Sequence, residues 1–127
     1  MDQRNRSPRD WLTAIADDGD ATWLAAAGPS PHLARYGIAA RDDDGILCAR
    51  LAIDGQHFLV AAQDASFLAG SVGQRHGERL AALLREARAS ATPVLLLLAS
   101  GGVRLHEANP AEVALSGALR ELIATRA

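Results

Sequence analysis

The clearest rhythm in the chain belongs to Leu80, Leu83, Leu84 and Ala87, which recur at i, i+3, i+4 and i+7. That spacing puts them on one face of a helix, expected from about Gly73 to Ala89. Thr92-Pro93 stops it, because proline cannot continue the backbone ladder. Val94-Leu95-Leu96-Leu97-Leu98-Ala99 has no polar alternation, as expected of a strand buried on both faces. Ile46 to Ile53 and His57 to Ala62 also read as strands, and Asp54-Gly55 between them is a hairpin signal. Near the start, Ser7-Pro8-Arg9-Asp10 can cap a short helix with Pro8 at its first position and Trp11, Leu12 and Ile15 on one face. Gly19 ends that segment. A last helix starts at Asn109-Pro110-Ala111-Glu112, with Asn109 as cap and Glu112 in a variant of the capping box. Gly28 to Gly37, rich in Pro and Gly, reads as a surface loop.

The order is therefore helix, hairpin, glycine loop, helix, strand, glycine loop, helix. His57 to Ala99 forms a βαβ unit, whose crossover should be right-handed. The two glycine loops, Gly70-Ser71-Val72-Gly73 and Ser100-Gly101-Gly102-Val103, then follow the carboxyl ends of neighbouring parallel strands. In open α/β sheets that edge is where ligands bind.

Composition narrows the chemistry. The 127 residues suit one domain, 1–127, with 1–18 as an N-terminal helical segment, and a 49% hydrophobic content excludes disorder. Net charge is −2, which offers no field for nucleic acid. There is no Lys, so no phosphate-binding Walker loop, and with abundant Ala this points to a GC-rich bacterial coding sequence. No apolar run is long enough to span a membrane, and the first residues lack the apolar segment of a secretory signal, so a soluble cytoplasmic protein is expected. Cys48 sits in a strand pattern and reads as a small buried thiol. His32, His57, His76 and His106 show no metal-ligand spacing and read as surface or hydrogen-bonded residues. Arg41-Asp42-Asp43-Asp44-Gly45 reads as a solvated turn, since no further acids follow at calcium-loop spacing.

Paired glycine loops favour backbone-donor chemistry. Glycine lets the main chain approach a guest, and a helix starting after such a loop adds unpaired N–H groups and partial positive charge. An enolate or tetrahedral oxyanion is the natural guest, and a lost donor typically costs roughly 3–4 kcal/mol of transition-state stabilisation. A tight strand-to-helix turn with no ligand remains the alternative for each loop. Ala69-Gly70-Ser71-Val72-Gly73 approaches a Gly-x-Ser-x-Gly nucleophile elbow, but only His106 lies well downstream, so no acid-then-base order completes a triad at Ser71. Arg104 could meet a carboxylate or phosphate in fork geometry, or pair with Glu107, or contact another subunit.

The stretches Phe67 to Arg79 and Leu95 to Asn109, the latter holding Gly101-Gly102-Val103-Arg104-Leu105-His106-Glu107-Ala108-Asn109, resemble the β subunit of biotin-independent malonate decarboxylase. That family lies in the carboxyltransferase branch of the ClpP/crotonase superfamily. The resemblance extends upstream through Asp43-Asp44-Gly45 and the Asp54-Gly55 hairpin. It implies an α/β, crotonase-like ββα unit with an incomplete spiral core. It also implies decarboxylation of a malonyl thioester on an acyl carrier protein to the acetyl thioester, through an enolate held by oxyanion-hole donors. The expected partners are the γ subunit and the acyl carrier protein, in a hetero-oligomer. The expected CoA-derived prosthetic group sits on the carrier, with no cofactor or metal on this chain. By residue match, Gly101 and Gly102 with the Val103 amide are the first choice for donors. Gly70 and Ser71 are the second choice for donors, shaping the pocket for the leaving carboxylate or the acyl group, and Gly73 and Arg104 are expected to bind substrate with them. The family usually has Gly-Gly where this chain has Ala69-Gly70 and Glu-Val where it has Gln74-Arg75, and its subunits are about twice this length. Ala69 adds a Cβ where a positive φ is expected. The alternatives are a non-catalytic assembly or carrier-binding relative, and a carboxyltransferase β fragment acting on acyl-CoA.

Overall fold

The computed structural model describes residues 7–99 and 102–125. Helix α1 spans Pro8–Ile15. Its N-terminus is a closed capping box: the Asp10 N–H donates to the Ser7 hydroxyl at 3.2 Å and the Ser7 N–H donates to the Asp10 carboxylate at 3.4 Å. Leu12 is its buried residue. A short 3-10 turn, Asp17–Gly19, follows. The Asp17 carboxylate accepts the N–H groups of Asp54 and Gly55, both at 2.9 Å, and so ties the N-terminal segment to the hairpin turn.

The sheet has four strands in the order β1-β2-β3-β4. Strand β1, Ala21–Trp23, pairs antiparallel with β2, Ile46–Ile53. At three residues β1 is too short to show a period, and no sequence signal marks it. β2 pairs antiparallel with β3, Gln56–Gln63, across the expected turn, where Asp54 and Gly55 both take positive φ (55° and 80°). Helix α2, Gln74–Ser90, crosses to β4, Val94–Leu97, which lies parallel to β3. Helix α3 spans Asn109–Thr125.

Alternate residues of each strand feed two cores. Ile46, Cys48, Leu59, Ala61, Val94 and Leu96 face Leu80, Leu83, Leu84 and Ala87 of α2 and Ala118 of α3. On the other face, Ala49, Leu51, Val60, Ala62, Leu95 and Leu97 meet Leu12 and Ala16. Cys48 is buried, and burial pushes its thiol up to about 11, so it packs as a small hydrophobe. The expectation that the Val94 strand would be buried on both faces is corrected in degree. Both faces are covered, but Val94–Leu97 are only half-buried, because among the described residues β4 has a neighbour on one edge alone. Among the described residues no helix is long and apolar enough to cross a membrane.

Because β2 runs against β3, the turn before β2 lies at the same sheet edge as the segments after β3 and β4. Residues 41–45, 64–73, 98–99 and 102–108 therefore converge there.

Candidate functional site

The two glycine loops are joined by a parallel bridge between Val72 and Val103. The Val72 N–H donates to the Gly102 carbonyl at 2.7 Å, and the Arg104 N–H donates to the Val72 carbonyl at 2.9 Å. Peptide groups alternate in direction along extended backbone, so the N–H of Val103 points away from the first loop. Gly102 takes a φ of +72° and is exposed, and a Cβ built on it would meet nothing within 4 Å. The described part of this turn thus presents backbone to open space. Ser100 and Gly101, the latter a first-choice donor, lie outside the described residues.

The first loop is different. Leu68, Ala69 and Gly70 take φ values of 48°, 58° and 73°. Ala69 therefore accepts the left-handed conformation that its Cβ disfavours, at a strain of roughly 1 kcal/mol. The Gly70 N–H already donates to the Phe67 carbonyl at 3.0 Å, and the Ser71 N–H to the Leu68 carbonyl at 3.1 Å. A Cβ on Gly70 would overlap the Ala99 side chain, and one on Gly73 would overlap the Arg104 guanidinium. At Gly70, Ser71 and Gly73, the residues expected to shape the substrate pocket, the local geometry is accounted for by the protein itself. The Gly70 and Ser71 amides are committed to the turn, and the glycines answer to close packing within the protein.

Beneath the loops lies a buried polar frame. Arg104 Nη1 donates to Asp44 Oδ1 and to Glu107 Oε2, both at 2.6 Å, with all three side chains shut off from solvent. Arg104 Nη2 donates to the Asp44 and Ser71 carbonyls at 3.2 and 3.3 Å. The free oxygen of each carboxylate caps α2: the His76 N–H donates to Asp44 Oδ2 at 2.9 Å, and the Gln74 N–H to Glu107 Oε1 at 2.8 Å. The Ser30 hydroxyl also donates to Glu107, at 3.0 Å. One guanidinium faces two carboxylates, and the positive end of α2 offsets the excess charge. Burial pushes the Asp44 carboxyl above its usual range against the pull of Arg104. Burial pushes Glu107 the same way, but the Gln74 N–H, Arg104 and Ser30 outweigh it and hold Glu107 below.

Several expectations change here. The N-terminus of α2 offers no free donors at Gln74 and His76, since the protein's own carboxylates occupy them. Of the roles open to Arg104, the structure shows its pairing with Glu107, and the guanidinium is fully buried. The turn at Arg41 to Gly45 is not uniformly solvated: Asp44 is fully buried, with a φ of +46°.

His76 joins this frame to the second turn. Its Nδ1–H donates to the Asp44 carbonyl at 2.9 Å, and its Nε2 accepts from the Gln63 amide at 3.1 Å, a pairing that requires the neutral ring. Burial lowers its pKa to about 4. Gln63 Oε1 in turn accepts the Ala99 N–H at 2.7 Å. Asp44, Gln63 and His76 were not singled out from sequence as site residues. His76 carried a usable signal, because it precedes Leu80, Leu83 and Ala87 at helical spacing and so falls on the apolar face of α2. Among the described residues no cluster of His, Cys, Asp and Glu is placed to hold a metal ion.

The fold and the site define an α/β, crotonase-like unit of the carboxyltransferase type, with its loops gathered at the carboxyl edge of the sheet. The chain belongs to the carboxyl transferase domain family, whose model matches residues 29–119. The fused beta/alpha carboxyl transferase subunits of acetyl-coenzyme A carboxylase from Saccharopolyspora erythraea are 38% identical over 95 residues, 72% of this chain and 17% of that one. The corresponding beta subunit from Herpetosiphon aurantiacus is 31% identical over 115 residues, 80% of this chain and 39% of that one. A Pseudomonas malonate decarboxylase hetero-tetramer, solved with malonate, superposes with a TM-score of 0.87 at 34% identity over 94% of this chain and 46% of that chain. The transcarboxylase 12S core, at 22% identity and a TM-score of 0.76, shows the shared fold alone. The chain spans less than half the length of each of these relatives. The carboxyltransferase resemblance read from the sequence therefore holds. The structural neighbours include malonate decarboxylase subunits, whereas these curated relatives are acetyl-coenzyme A carboxylase subunits.

Proposed function

We propose that this chain forms the enolate-binding wall of a malonyl-thioester decarboxylase, as the β component beside a γ-type partner subunit. The observation that carries this reading is the outward-facing backbone at Gly102 and Val103, at the carboxyl end of the β3–α2–β4 unit. Loss of CO2 breaks the bond between the carboxylate carbon and the α carbon. The electron pair moves into the thioester carbonyl, and the oxygen becomes an enolate. Backbone N–H groups of the second turn, Val103 and by residue match Gly101 and Gly102, would donate to that oxygen as its charge develops. A proton then adds to the α carbon and yields the acetyl thioester. The substrate arrives as the thioester of a CoA-derived group on an acyl carrier protein. The likeness to the malonate decarboxylase hetero-tetramer supports this choice of reaction and a hetero-oligomeric setting.

A second reading, a carboxyltransferase β component acting on acyl-CoA, is favoured by the curated acetyl-coenzyme A carboxylase relatives. The same enolate would form, and a biotin-borne carboxyl group would be exchanged. The test combines this chain with a γ-type subunit. Release of labelled CO2 from malonyl carrier protein without biotin is the expected result. Biotin-dependent carboxyl exchange on acyl-CoA would select the second reading. Binding of carrier or subunit with neither reaction would mark a non-catalytic assembly component and overturn both.

A further inference from the structure

We draw no further inference here: the strongest candidate, the edge of strand β4 that has no neighbour among the described residues, together with the exposed Leu119 and Ile123 of helix α3, carries nothing because nothing in the structure shows what covers it.

Discussion

The two glycine loops sit side by side at one sheet edge, bridged by Val72 and Val103, yet their glycines serve different ends. In the first loop, the Cβ position of Gly70 is filled by Ala99 and that of Gly73 by Arg104. In the second, the Cβ position of Gly102 opens onto empty space. A glycine that makes room for the protein and a glycine that faces open space look identical in sequence. What separates them is what stands where the side chain would be.

The largest test of that contrast removes the side chain that fills the first loop. Arg104→Met leaves Asp44 and Glu107 buried without their cation, and should cost about 3–5 kcal/mol in denaturant unfolding. Stability should also respond to pH through His76. Its folded pKa, about 4, lies below the ordinary value of 6.5, so the unfolded chain binds the proton first. The stabilisation is full above pH 6.5 and is lost as pH falls toward 4, on the order of 3 kcal/mol in total. Denaturation midpoints measured between pH 7 and 4 should show this slope, and His76→Gln should flatten it.

Alanine substitutions then compare the loops directly. Gly70→Ala combines an unfavourable φ with overlap against Ala99 and should destabilise by roughly 2–4 kcal/mol. Gly102→Ala meets only the φ penalty and should cost roughly 1 kcal/mol, while turnover falls tenfold or more. Equal stability losses at the two positions would erase the distinction drawn here. The smallest effect belongs to Ala69→Gly, which relieves a φ of +58° at an exposed site and should raise stability by about 0.5–1 kcal/mol.

Much of the fold is readable from local pattern. The leucines of α2, the Asp54-Gly55 turn and the cap at Ser7 each depend on neighbours within a few residues, and each forms as expected. Strand β1 was not readable, because three residues have no period and pairing with β2 decides them. The candidate site was readable as two glycine loops at the carboxyl edge of a βαβ unit, and β4 does pair parallel with β3. The roles of individual residues were not. Arg104 left a substrate anion, a pair with Glu107 and a subunit contact open, and the structure shows the Glu107 pair together with Asp44, three residues and 60 residues away in sequence.

The sequence by itself determined the helices, the hairpin, the parallel crossover and the presence of two glycine loops. Those follow from hydrophobic period, proline and glycine placement, and capping residues, all of which act over short separations. The tertiary structure alone decided that Asp44 is buried, that His76 is a neutral link, and that the Gln74 and His76 amides at the start of α2 are taken. It also decided that Gly102 faces outward while Gly70 and Gly73 pack against the protein. The physical reason is that burial and charge pairing depend on residues far apart in the chain, and no local pattern records which of two identical glycines will find a neighbour in its path.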